Sequence, residues 1–270
     1  IFTWQNDGNT GTNPPAEVDN ISLFSSSSTL YYSRTSATPT SLNNWRTNPD
    51  GTGSAPPDFN SGLFIVQSGH SMTTNANWTV GGSVLVNNGG TLSLAGNTIS
   101  IAGNTSISGI LNITNNSRTK TFTGTVTVNS GGVWNNTAAN EDVTLRGGLN
   151  NFGTFNAGTG VYTFDTNSQE LNGVLSIPNV TVTGVTLTNN NTLTVTTALS
   201  GNTGTLTQAA NAILNVGGTS GIGTLIATGT DNTVSFTGAN QTVNNGNYEN
   251  LVLSGSGTKT LQNLTYTVYK

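Results

Sequence analysis

The chain has no cysteine, so neither disulfides nor thiol chemistry enter its design. It has a single histidine, His70. With no thiolate beside it, a zinc site there would need three oxygen ligands, an unusual set for zinc. Charge is scarce as well. Only 7% of the 270 residues are Asp, Glu, Lys or Arg, against about a quarter in an ordinary globular protein. The formal net charge is −4 and no basic patch exists, which argues against a nucleic-acid groove. No apolar run approaches the ~20 residues of a membrane-spanning helix. Windows of helix-forming composition are missing too, because β-branched residues and glycine dominate nearly every stretch.

What is present is alternation. Hydrophobic residues make up 33% of the chain, and they are placed with a period of two. In Gly81 to Ser100, Val84 and Val86 alternate with polar neighbours, as do Leu92 and Leu94, and Ile99 and Ile101 repeat the pattern. Alternation is the signature of a strand with one face buried. Asn87-Asn88-Gly89-Gly90 and Ala95-Gly96-Asn97 read as tight turns, since Asn and Gly accept positive φ at little cost. Three short strands and three turns in about twenty residues match one coil of a parallel β-solenoid. An antiparallel meander with hairpins at the same sites is the competing reading.

Recurrence favours the solenoid. Phe64-Ile65-Val66-Gln67-Ser68-Gly69-His70 precedes the Leu85 to Gly90 unit by about one coil, and Val126 to Gly132 follows it by about two. A longer repeat of about seventy residues relates Tyr162-Thr163-Phe164, Gln169-Glu170-Leu171 and Asn179 to Thr183 to Val234-Ser235-Phe236, Gln241-Thr242-Val243 and Asn250 to Ser254. A lone coil cannot bury its apolar face, so the units must stack. The expected fold is all-β: a parallel, right-handed β-helix of roughly 20–24 residues per coil over 61–270, with about ten coils. Val84, Val86, Leu92, Leu94, Ile99, Ile101, Val126, Val128, Phe164, Phe236, Leu251 and Leu253 are expected to point inward. Residues 1–60 differ in composition and carry prolines. They are expected to form an N-terminal cap or small β module in which Trp4, Tyr31, Tyr32 and Trp45 seal the core. The start at Ile1 is expected to reflect a trimmed or mature chain, and the end at Lys270 a helix that continues.

Candidate chemistry is sparse. His70 lies in Ser68-Gly69-His70-Ser71, which reads as a turn. Polysaccharide cleavage on a β-helix needs paired acids, or acids with a base, on one face. The residues that would supply them are Glu141, Asp142, Arg146, Asp165, Glu170 and Asp231, with Asp231 stacking near Asp165. The plainer reading is solvated turn residues. Calcium-binding repeat and EF-hand spacings are absent, which leaves only an adventitious calcium at Asp7, Asp19, Asp50 or Asp58. Asn-x-Ser/Thr sequons arise by chance in a chain this rich in Asn and Thr. Thr125/Thr127, Thr181/Thr183, Thr186/Thr188 and Thr192/Thr194 would form Thr rows of the kind that bind ice only if they shared one flat face, and the unequal turns between them argue against that. A surface of Thr, Ser and Asn favours an extracellular setting.

Two stretches carry a family resemblance. Thr29-Leu30-Tyr31-Tyr32-Ser33-Arg34-Thr35 leads through Asn44-Trp45 to Pro56-Pro57-Asp58-Phe59-Asn60 and Phe64 to His70, and Tyr248-Glu249-Asn250-Leu251-Val252-Leu253-Ser254 continues to Leu261. Both resemble the large, secreted, repeat-rich surface proteins of Bacteroidota that use the type IX secretion route. The resemblance implies a parallel β-helix stalk or adhesin-like segment exported across the outer membrane to the cell surface, and the Asn, Thr and Ser side chains suit surface glycans or other surface proteins as partners. The resemblance implies no shared catalytic motif; the residues themselves point to no cofactor beyond the adventitious calcium. The sorting domain of such proteins is not among these residues.

Overall fold

The computed structural model describes residues 28–262 and 266–270. Trp4, Asp7 and Asp19, named above, lie outside the described residues. Within them the only helical element is the short 3-10 turn Leu42–Asn44, and the rest is strand and turn. The strands stack as a parallel β-solenoid of three faces. Ser83–Val86, Thr91–Leu94 and Ile99–Ile101 form one coil, and each pairs in parallel with the corresponding strand of the next. From Leu63 onward coil length varies from the 17-residue step Thr233 to Asn250 to the 23-residue step Ile110 to Val133, while the first step, Leu30 to Leu63, takes 33 residues. The described strands make about ten coils, which at ~4.8 Å per rung is a rod of about 50 Å.

Face 1 runs from Leu30–Ser33 through Leu63–Val66, Ser83–Val86, Thr105–Ile107, Val126–Val128 and Leu149–Asn151 to later coils. Face 2 begins with Ser71–Thr73, Thr91–Leu94, Ile110–Ile113, Val133–Asn135 and Thr154–Asn156, a five-stranded sheet that ends there. It resumes with Val174 paired to Thr192. The break leaves Phe152 and Val174 more than half exposed beside an open depression of about 560 Å³. Face 3 runs from Trp78–Val80 through Ile99–Ile101, Lys120–Phe122, Val143–Leu145, Val161–Phe164 and Asn179–Val182.

The core is a set of inward columns in register. Phe64, Val84, Thr105, Val126, Leu149 and Leu171 stack one per coil. Each fully buried aliphatic or Phe side chain contributes about 1.5–3 kcal/mol. Corners turn where glycine removes the obstacle. Gly173 has φ +88°, and a Cβ there would run into the Asn151 carbonyl oxygen. Near the first coils, Tyr31 stacks on Phe64 and Trp45 stacks on Trp78, which places both rings over the core, while Tyr32 is only half-buried. Leu30–Ser33 makes an antiparallel pair with Trp45–Arg46 and a parallel pair with Leu63–Val66.

Ten of the twelve residues expected to point inward are fully buried. Leu251 and Leu253 differ. They sit in register with the core residues Val234 and Phe236, but Leu251 is half-buried and Leu253 is 43% exposed, because they belong to the last described rung of face 2. The seventy-residue repeat is also corrected in one respect. Tyr162 to Phe164 lies on face 3 whereas Val234 to Phe236 lies on face 2. The offset is therefore not a whole number of coils, and the repeat shifts by one face. Its local chemistry survives the shift. Gln169 and Gln241 are both buried and bond corner backbone: Gln169 accepts from Gly148 N–H and donates to the Asp165 carbonyl, and Gln241 accepts from Gly238 N–H and donates to the Val216 and Gly218 carbonyls.

Candidate functional site

The six charged residues singled out from sequence sit at three different corners. At the corner from face 2 to face 3, Glu141 is buried at 6% exposure. Asn136 clamps its backbone, accepting from the Glu141 N–H at 3.0 Å and donating to its carbonyl at 2.8 Å. The Glu141 carboxylate faces Lys120, with Nζ to Oε2 3.5 Å. Asp142, next in sequence, is exposed and accepts from Val161 N–H at 2.7 Å. The two acids thus do different work, as neighbours along an extended chain do.

Sequence reasoning did not single out Lys120. It occupies an inward position on face 3, in register with Ile99 and Val143, and is 1% exposed. Its Nζ donates to the Arg118 carbonyl at 2.7 Å. Burial pushes its ammonium below the usual lysine range, and Glu141 opposes that shift. A signal existed: in Lys120-Thr121-Phe122 the lysine shares the parity of the inward phenylalanine.

At the corner from face 3 to face 1, Arg146 grips Asp165 with two hydrogen bonds, Nε to Oδ1 at 2.7 Å and Nη2 to Oδ2 at 3.2 Å. The Arg146 hydrogen bonds hold the Asp165 carboxyl below the usual carboxylate range. Glu170 follows on the same coil. It is exposed and accepts from Asn190 Nδ2 at 3.1 Å. It borders an open depression of about 370 Å³ with Thr125, Asn150, Ser168 and Asn172. A one-way amide chain crosses this surface: Asn190 donates to Asn172, Asn172 to Asn150, and Asn150 to Thr127.

Asp231 is at the corner from face 1 to face 2, several coils on, where it hydrogen-bonds Lys270, whose Nζ is also 3.3 Å from Glu249. Stacking of Asp231 on Asp165 is therefore not what the structure has. Of the six, Arg146, Asp165 and Glu170 share a corner region, Glu141 and Asp142 another, and Asp231 stands apart.

Hydrolysis by two carboxylates needs one protonated and one ionised. Here Arg146 keeps Asp165 ionised, and Glu141 faces an ammonium. What the Asp165–Glu170 region offers is a neutral, hydrogen-bonding surface with fixed charges at its edge. Among the described residues no three Asp, Glu or His side chains gather as a metal site. Asp50 accepts from Thr52 N–H and Oγ1, and Asp58 from Asn60 N–H, so both carboxylates close local turns. His70 sits in the turn before Ser71–Thr73, its Nδ1 2.7 Å from Ser33 Oγ.

The Arg146–Asp165 pair has a pH consequence. Its carboxyl titrates lower folded than unfolded, so its stabilisation is present above the unfolded pKa and is lost as pH falls through the folded one. Asp165→Asn should be less stable than the native chain above about pH 4, with the gap closing in more acidic solution. Both partners are partly exposed, so the gap is expected to stay below about 1 kcal/mol. Urea melts at several pH values check this, and a gap that widens on acidification would contradict it.

No helix among the described residues is long and apolar enough to cross a membrane. Compared with known protein families, curated proteins and solved structures, the chain matches none.

Proposed function

We propose that this chain is a non-catalytic, structural or adhesin-like segment of a secreted protein at the outer cell surface. The observation that carries the reading is the stacked parallel ladder itself, sheathed in neutral polar side chains. Inter-coil hydrogen bonding satisfies the backbone along the rod, which gives reach and resistance to proteolysis without a large core. Outward positions such as Ser93, Asn112 and Asn135 on face 2 follow one another in register. Such amide and hydroxyl columns suit contact with surface glycans or other surface proteins. The sequence resemblance to repeat-rich surface proteins of Bacteroidota supports the exported setting and the type IX route.

A second reading, non-catalytic binding of glycan or ice on a flat face, is favoured by one observation. The four Thr-x-Thr pairs noted above do not form a common row, since Thr125/Thr127 and Thr186/Thr188 lie on face 1, Thr181/Thr183 at face 3 and Thr192/Thr194 on face 2. Face 3 instead carries its own outward hydroxyl row, from Thr79 and Ser100 through Thr121, Thr144 and Thr163 to Thr181.

The test is a panel of neutral and acidic polysaccharides assayed for depolymerisation, with a glycan array and an ice-recrystallisation assay beside it. The expected result is no depolymerisation. Array signal without turnover refines the segment to a glycan-binding adhesin, and recrystallisation inhibition makes it the ice-binding form of the second reading. Depolymerisation that disappears in Glu170→Gln or Asp165→Asn would replace both readings with a polysaccharide-degrading enzyme.

A further inference from the structure

We propose that Lys120 and Glu141 condense to an intramolecular amide that ties two successive coils covalently. The two side chains belong to adjacent rungs. Lys120 opens the face 3 strand Lys120–Phe122, and Glu141 lies two residues before Val143, the residue that pairs with Lys120. Both are buried, at 1% and 6% exposure, and Nζ lies 3.5 Å from Oε2. That Oε2 is buried and accepts no hydrogen bond. Nζ spends one donor on the Arg118 carbonyl, which holds the amine in place.

Three physical facts favour reaction. The groups are already close: folding sets Nζ 3.5 Å from the carboxylate and Asn136 pins the Glu141 backbone from both sides, so much of the entropy of bringing amine to carboxyl is spent in folding. A buried, incompletely hydrogen-bonded ion pair is an unfavourable state for both charges, and an amide removes both. Burial also disfavours the ammonium relative to the nucleophilic amine. In the step, the ammonium gives one proton to the carboxylate, and the freed nitrogen lone pair attacks Cδ to form the C–N bond. A second N–H proton goes to the departing hydroxyl, the C–O bond breaks and one water leaves. The step balances without an oxidant, reductant or cofactor. An opening of about 300 Å³, bordered by Arg118, Thr119 and Asp142 beside the pair, lets the water out. Asp142 itself is turned to Val161 N–H and does not compete for the amine.

The bond would close a loop of one coil, from Lys120 through the corner at Asn136 to Glu141. It goes beyond the stalk reading and does not depend on it, because its readout is a mass. The purified, folded chain, held at neutral pH, is expected to be lighter than its sequence mass by one water. Its protease digest should contain a branched peptide joining the Lys120 and Glu141 segments. Lys120→Arg keeps the charge but cannot condense in this way and should return the full mass. A native chain that melts cooperatively yet keeps its full mass after prolonged incubation overturns the proposal. So does a deficit that persists in Lys120→Arg, or one that maps to Asp50-Gly51, where succinimide formation also expels water.

Discussion

Trp134→Ala is expected to destabilise the middle of the rod by about 3–5 kcal/mol, the range for removing a large buried aromatic. Trp134 is fully buried between neighbouring coils. Its ring meets Phe122 edge-on at 5.3 Å and stacks on Phe155 at 5.5 Å, and Phe155 in turn packs on Tyr162 at 5.6 Å. Its Nε1 donates to the Tyr162 hydroxyl at 3.0 Å. That hydroxyl also accepts from Asn136 Nδ2 and donates to the Ala157 carbonyl. The phenol is fully buried, which pushes its pKa far up and keeps it a donor. Alanine therefore removes the apolar contacts and one of two donors to the Tyr162 hydroxyl, which keeps its bonds to Asn136 and Ala157, so the lost packing dominates the cost. Because each coil contacts only its neighbours, the loss should be local. Hydrogen exchange should show lost protection in the coils around Val133–Asn135 and Val161–Phe164, while distant coils keep theirs. A uniform loss along the rod, or a cost under about 1 kcal/mol, would contradict this account.

The second large effect is expected at Lys120. Lys120→Ala leaves the buried Glu141 carboxylate without its counter-charge, a change that costs about 3–5 kcal/mol. The double variant Lys120→Met, Glu141→Leu separates two origins of that cost. If the pair is only an ion pair, well-packed apolar replacements should be neutral or stabilising. If an amide joins the two coils, the double variant should remain destabilised, because a covalent closure of a loop this size is worth about 3 kcal/mol through the unfolded chain. Urea unfolding with unchanged slope would report the difference as stability alone.

Much of the fold was legible locally. The period-two placement of Val84/Val86, Leu92/Leu94 and Ile99/Ile101 identified strands and their buried side, because side-chain parity along an extended chain needs no knowledge of distant residues. Asn-Gly turns marked corners for a similarly local reason. Parity also held the clue to Lys120, which a search for clusters of acids passes over.

The sequence by itself determined that this chain is made of short one-sided strands that have to stack, and which side chains turn inward. The tertiary structure decided which face each strand joins and which charges meet. Coils of 17 to 23 residues accumulate small offsets, so Phe164 and Phe236, alike in local sequence, arrive on different faces. Arg146 and Asp165, and Lys120 and Glu141, meet only because each pair is separated by about one coil. Strand periodicity has a reach of a few residues, whereas contact across a rung depends on the summed length of every corner between the partners.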